Sequence, residues 1–181
     1  SMSVNADSLL LFNLEICDDK KLLEFKNSFN RVAVRGVIIK GDNILLVRSN
    51  RGDYKFPGGG LNKGENHNEA VIREVNEETG YKVAEVLELI GQIREVSKDK
   101  FESERVFIMD SYYYKCEVLD EVSNQSLDSY EKELGFIGEW VNIKKAIDNN
   151  EEILANGNPD NIDWIRRETL ALKNIYRDIE K

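Results

Sequence analysis

Cysteine and proline are scarce in this chain, long apolar runs are missing, and cations are outnumbered by anions; each shortage removes a class of protein. Cys17 and Cys116 are the two cysteines among 181 residues, and they match neither a zinc-ligand spacing nor a CxxC pair. Two reduced thiols in a reducing, cytoplasmic setting are therefore expected. Two prolines and twelve aperiodic glycines carry no collagen-like, linker-like or low-complexity signal. No apolar stretch approaches the ~20 residues of a membrane-spanning helix and no signal-peptide pattern opens the chain, so no membrane association is expected. Lysine and arginine number 25 against 34 acidic residues, a net charge of −9. That balance argues against a nucleic-acid partner, which needs a basic face. It remains compatible with a small polyanionic substrate if divalent cations sit between that substrate and the carboxylates. What is present suffices for one core: 41% of the residues are hydrophobic, in a chain of ordinary domain length.

Along the chain, residues 9–16 are apolar enough for a strand, with a short helix as the alternative. Residues 20–29 fit a turn of helix or an extended segment equally well. Residues 31–39 are β-branched and partly alternating, and 44–48 follow after Gly41-Asp42-Asn43, which predicts a β-hairpin with a tight turn. Residues 50–64 concentrate glycines around Pro57 and read as a loop. Helical period takes over at 67–79, with Ala70, Val71, Val75 and Ile72 as the apolar side. Asn66 with Glu69 forms a variant capping box, and Gly80 marks the C-terminal end. Strand patterns return at 82–96 and 105–118 around a charged loop at 97–104. A polar loop is expected over 122–135, a short strand at Trp140-Val141 and a short helix at 143–150. Residues 161–179 place Ile165, Leu172, Tyr176 and Ile179 on one helical face, read as either a homodimer contact or a cover over a sheet. This order of elements predicts an α/β class or an α+β sandwich. The division expected is an N-terminal extension at 1–30 packed on a domain at 31–160, with 161–181 as that domain's terminal helix.

The segment that demands chemistry is 59–81, GGLNKGENHNEAVIREVNEETGY, with five acidic residues and one arginine. Glu74, Glu77 and Glu78 share one patch of a helix at i, i+3 and i+4 spacing, where like charges repel by some tenths of a kcal/mol per pair. They also occupy the last turn, where the helix dipole disfavours anions. A solvated glutamate-rich face explains most such runs. It does not explain the adjoining glycines, the arginine or the terminal glycine. Hard cations do: Mg²⁺ and Mn²⁺ take carboxylates, waters and phosphate oxygens. A glycine loop lets backbone carbonyls approach the same ions. Arg73 beside Glu74, four residues before Glu77, can orient a carboxylate through a bidentate contact.

Gly59, five residues, Glu65, seven residues, Arg73-Glu74-Val75, one residue, Glu77-Glu78, one residue, Gly80: the order and spacing resemble the complete Nudix box. Tyr81 stands where a bulky aliphatic residue is usual, a departure that concerns packing. Phe56-Pro57-Gly58-Gly59 ahead of the box and Gly138-Glu139-Trp140 after it agree with the resemblance. The resemblance implies a Nudix fold, an α/β/α sandwich with a mixed central sheet and a loop-helix-loop that binds Mg²⁺, with Mn²⁺ as the alternative. It implies Glu74, Glu77 and Glu78 as metal ligands with the Gly59 carbonyl, Arg73 as the residue orienting a glutamate, and Glu65 as support behind them. Glu133, with Glu131 behind it, resembles an acid that precedes Gly-Glu-Trp in MutT-like members, if one inserted residue is allowed; Glu74, Glu77 and Glu133 with Arg73 are thus the expected catalytic group.

The reaction so implied is hydrolysis of a phosphoric anhydride in a nucleoside diphosphate linked to another moiety, with a carboxylate accepting the water's proton. Arg48, Arg51 and Lys55 are candidates for substrate phosphates. Tyr54 or Phe56 either stacks on a base or packs in the core, with packing favoured for Phe56. His67, the only histidine, falls in the first turn of the box helix, where an exposed position is expected. The substrate subclass is not legible, with a weak tilt to nucleoside triphosphates. Two rivals remain: a silent nucleotide-sensing domain of the same fold, disfavoured by the intact glutamates, and an RNA-end hydrolase, disfavoured by the charge.

Overall fold

The computed structural model describes residues 10–181, so residues 1–9 of the N-terminal extension, including the start of the 9–16 segment, lie outside the described residues. The chain runs β1 (Phe12–Cys17), a 3₁₀ turn (Lys20–Glu24), β2 (Asn27–Val37), β3 (Ile39–Lys40), β4 (Asn43–Arg48), β5 (Tyr54–Lys55), β6 (Gly58–Gly60), α1 (His67–Thr79), β7 (Tyr81–Lys98), β8 (Arg105–Val122), α2 (Ser129–Glu133), β9 (Ile137–Asn142), α3 (Ile143–Ala155) and α4 (Ile165–Ile179). A five-stranded mixed sheet has the order β1-β7-β8-β2-β6, with parallel pairs β1/β7 and β2/β8 and antiparallel pairs β7/β8 and β2/β6. A second sheet joins β3, β4 and β5, with β9 on the other side of β4.

Helix α1 covers one face, where Ala70, Val71 and Val75 meet Val34, Ile38, Leu45 and Cys116. Helices α3 and α4 cover the other, where Ile147, Leu172 and Ile175 meet Phe12, Ile93 and Tyr113. The architecture is an α/β/α sandwich. Leu172, Ile175 and Tyr176 of α4 thus cover the sheet, while Ile179 at the end of the stripe is 41% exposed.

The predicted hairpin is only partly present. The turn at Gly41, with φ of +60°, joins β3 to β4, but β2 pairs with β8 and β6 instead. The chain changes sheets at Ile38. The reason is visible in the burial: Ala33 through Ile38 are buried on both strand faces, which suits a central strand paired on two sides. Three further differences are local. The 50–64 loop contains β5 and β6, the 122–135 loop contains α2, and Ile72 points outward at 44% exposure.

Helix α1 itself has the predicted bounds. The Asn66 side chain accepts from the Glu69 amide at 2.8 Å, and the Glu69 carboxylate accepts from the Asn66 amide at 3.1 Å. Gly80 closes the helix at φ +80°, and a Cβ there would lie 2.0 Å from the Ser123 carbonyl oxygen. Replacing Asn66 with Ala is expected to lower stability by roughly 1 kcal/mol, read by urea denaturation. An unchanged midpoint would show that the cap contributes nothing.

Candidate metal centre

Strand β6 and helix α1 bring the box together from both ends. Gly59 sits against Glu74 so closely that a Cβ would lie 2.7 Å from Glu74 Oε1, so glycine is what lets that carboxylate rest on the strand. One turn further on, Glu78 is fully buried. Its Oε1 accepts from the Gly58 amide at 2.6 Å and its Oε2 from Lys55 Nζ at 3.3 Å. Burial pushes the Glu78 carboxyl up to about 7, opposed by Lys55 and reinforced by neighbouring Glu74. Burial raises Glu74 as well, against the pull of Arg73.

Arg73 spends all five of its N–H donors within the box. Nε and Nη2 hold the two oxygens of Glu65 at 2.7 and 2.9 Å, and Nη1 donates to Glu74 at 2.9 Å and Glu77 at 3.2 Å. The remaining Nη2 donor meets the Gly60 carbonyl at 3.0 Å. The bonds from Arg73, then that from the Asn62 amide, pull the Glu65 carboxyl down to about 2.

The polar segment after β8 is a strap tied to the end of α1. Ser123 N donates to the Gly80 carbonyl at 2.8 Å, Ser126 N to the Glu77 carbonyl at 2.7 Å, and Gln125 Nε2 reaches the carbonyls of Glu78 and Phe136. These bonds satisfy carbonyls that a helix C-terminus leaves free. They also seat α2, whose capping box pairs Asp128 with Glu131. The result is a second acidic element beside the first: carboxylate oxygens of Glu74, Glu78 and Glu131 lie within 4.8 Å of one another.

Three convergent carboxylates, two of them buried, are hard oxygen donors of the kind Mg²⁺ or Mn²⁺ requires. The only cations bonded to the three are Arg73 on Glu74 and Lys55 on Glu78, among the described residues. The donor set therefore fits a divalent cation. Beside it opens a cavity of about 710 Å³, with Glu74, Glu77 and Glu131 on its wall and Arg31, Gly60 and Asn62 around the rim of β6.

The expected site residues fall into two groups. Gly59, Arg73, Glu74, Glu77 and Glu78 come together, although Glu77 stands outside the three-way cluster, half-buried on the cavity wall. Glu133 does not join them. It is exposed, and Glu131 occupies the place expected of it, because residues two apart on a helix point about 200° away from each other. Asp128 three residues before Glu131 was the legible signal for α2. Of the phosphate candidates, Lys55 is buried on Glu78, and Arg48 lines a separate cavity of about 410 Å³, its guanidinium 5.4 Å from the Tyr54 ring centroid. Arg51 lines neither cavity. Phe56 is core, 5.2 Å edge-on to Tyr113. His67 is half-buried, its Nδ1 2.7 Å from the Tyr114 hydroxyl, because β8 passes beside the first turn of α1. Tyr81 packs edge-on to Trp140 and accepts from its indole N–H at 3.0 Å.

One supporting group escaped the sequence reading. Glu168 on α4 is fully buried, accepting from the Phe56 amide at 3.1 Å and the Tyr113 hydroxyl at 2.8 Å, with Arg167 and Arg35 nearby. Burial alone would raise its carboxyl; Arg167, Arg35 and Lys55 outweigh that and hold it below the usual range. It fixes the loop that leads into β6.

A family model of the NUDIX domain matches residues 29–167. The chain belongs to the NUDIX family. Among curated relatives, it is 39% identical over 72 residues to an ADP-ribose pyrophosphatase of Methanocaldococcus jannaschii, covering 38% of this chain and 42% of that protein. It is 41% identical over 69 residues to a MutT-like protein of Streptomyces ambofaciens, covering 37% and 44%. It is also 34% identical over 83 residues to the m7GpppN-mRNA hydrolase of Saccharomyces cerevisiae, covering 44% and 9%. The chain thus spans less than half the length of these relatives. A solved NUDIX hydrolase from Nitrosomonas europaea shares the fold at TM-score 0.51 and 21% identity, over 81% of this chain and 90% of the other. The α/β/α sandwich is the Nudix fold, and the box helix covers one of its faces.

Proposed function

We propose that this NUDIX protein is a pyrophosphohydrolase that uses divalent metal and water to cleave a phosphoric anhydride in a nucleoside diphosphate linked to another moiety. The observation that carries the reading is the convergence of Glu74, Glu78 and Glu131 at the wall of an open cavity. The relatives' names support it, since ADP-ribose pyrophosphatase and m7GpppN-mRNA hydrolase both describe cleavage at linked phosphates. Mg²⁺, with Mn²⁺ as its substitute, would be held by Glu74, Glu78 and Glu131, with Glu77 and the Gly59 carbonyl available as further ligands. Bound there, it supplies charge neutralisation on the anhydride oxygens and a more acidic water.

The chain's own groups do the rest. Arg73 holds Glu65, Glu74 and Glu77 in one arrangement, so the carboxylates need not reorganise during reaction. Lys55 and the Gly58 amide fix Glu78. Glu131, in place of Glu133, is the acid from outside the box that completes the metal-holding group. The substrate is a small nucleotide in this reading, and the net charge of −9 disfavours an RNA backbone. A reducing, cytoplasmic setting is supported by the unpaired Cys17 and Cys116. Among the described residues no helix is long and apolar enough to cross a membrane.

The test is a product screen with Mg²⁺ and Mn²⁺ over nucleoside triphosphates, ADP-ribose, nucleotide sugars, dinucleoside polyphosphates and capped RNA. Turnover of at least one small nucleotide, lost on chelation, is expected. Binding without turnover of any of them sinks the enzyme reading, and turnover of capped RNA alone moves it to the RNA-end alternative. Within the active panel, Glu131→Gln is expected to lower kcat roughly 100-fold, as loss of a group that holds or orients the metal does. Glu133→Gln is expected to change it less than about twofold, as surface changes do. Equal effects of the two variants contradict the assignment to Glu131.

A further inference from the structure

Among the described residues, the cavity beside the acidic cluster has one cation left over. Arg73 lines it but has no donor to spare, since all five N–H groups are bonded within the box. Lys55 is buried behind Glu78, and Arg48 belongs to another cavity. Arg31 is exposed on the rim, and among the described residues no carboxylate or carbonyl takes its guanidinium.

Its position is built by strand register. Arg31 and Ala33 lie two apart on β2 and share a face, and Ala33 pairs with Gly60 on β6. Arg31 is therefore the diagonal neighbour of Gly60, within reach for a long side chain. Gly60 has no side chain to stand in the way: a Cβ there would lie 2.9 Å from Arg31 Nη2 and 3.2 Å from its Nε. The guanidinium rests on the strand at that spot. The carbonyl of the same glycine accepts from Arg73, so Gly60 connects the box to the rim.

We infer that Arg31 is a substrate-binding residue, its guanidinium holding a phosphate of the substrate's diphosphate that projects from the metal centre toward the rim of β6. A planar fork of N–H donors suits two oxygens of one phosphate, which a lysine's single ammonium does not reproduce. The acid-lined wall supplies no donor of that kind. The inference rests on the anhydride-cleaving reading of the site and adds the side chain that fixes which way the diphosphate lies.

The experiment is calorimetric titration with α,β-methylene-ADP, a diphosphate that cannot be cut at its bridge, in Mg²⁺, alongside Mn²⁺ titration of the same variants. Arg31→Ala is expected to weaken binding of the analogue roughly 10- to 100-fold, the worth of a charge-assisted hydrogen bond, with Arg31→Lys in between and Mn²⁺ affinity unchanged. Gly60→Ala, which displaces the guanidinium without removing it, is expected to weaken the analogue in the same direction. For substrates found in the screen, KM should rise with Arg31→Ala more than kcat falls. Equal binding by wild type and Arg31→Ala overturns the inference, as does no binding by wild type or a loss of Mn²⁺ affinity with the arginine. Analogue binding through Arg31 by a protein that turns over nothing upholds the inference and sinks the hydrolase reading alone.

Discussion

Glu78→Gln is expected to reduce metal-dependent turnover by roughly 10³-fold or more, beyond the 10–100-fold typical of groups that only orient a ligand. The amide keeps an oxygen for the Gly58 amide to donate to, so the end of β6 stays in place. What disappears is the negative charge at the centre of the cluster, where Glu74, Glu78 and Glu131 converge. Burial pushes the Glu78 carboxyl up to about 7, so desolvation opposes this charge and a nearby cation favours it. Such an arrangement is intelligible when a divalent cation completes it. Steady-state kinetics in Mg²⁺ reads the effect, and circular dichroism checks the fold. Activity within tenfold of wild type would show that Glu78 is structural.

Glu168→Ala is the largest stability effect expected, about 3–5 kcal/mol, the usual consequence of removing one partner of a buried ionic network. Four groups are left behind: the Phe56 amide, the Tyr113 hydroxyl, and the buried guanidiniums of Arg167 and Arg35. Arg167 retains Glu95 at 2.8 Å, whereas Arg35 keeps only Ser111 at 3.3 Å and has an unbonded Nε. For a chain of this size the thermal midpoint should fall by on the order of 10 °C. Glu168→Gln, which preserves an acceptor for Phe56, should fall less. A midpoint unchanged in Glu168→Ala would mean that the network contributes no net stability. Because Glu168 grips the residue before Pro57-Gly58-Gly59, the surviving folded fraction should also turn over more slowly.

The box was legible because its information is local. Helix period, the Asn66–Glu69 cap, the terminal Gly80 and the i, i+3, i+4 acids all lie within 59–81, and α1 forms with the bounds they predict. Fold class was legible from the order of elements and the resemblance. The sheet change at Ile38 was not, since pairing of β2 with β8 joins residues some eighty apart that no local pattern relates. Glu131 ranked behind Glu133 because a gapped alignment carries no helical phase. The Asp128–Glu131 capping box, visible in the sequence, fixes that phase and turns Glu131 inward. For the basic residues near the box, local spacing said little about where the side chains lie. Proximity in sequence suggested phosphate contacts for Lys55, Arg48 and Arg51, while the structure pairs Lys55 with Glu78 and turns Arg48 to another cavity. Arg31 reaches the rim through register with β6, which only the sheet reveals.

The most direct test of the central claim is a Mn²⁺ titration followed by electron paramagnetic resonance, in wild type, Glu74→Gln, Glu131→Gln and Glu133→Gln. Saturable binding in wild type and Glu133→Gln, with clear loss in Glu74→Gln and Glu131→Gln, is the predicted result. Equal Mn²⁺ binding by all four proteins, or none by wild type, would contradict a metal centre built from these carboxylates.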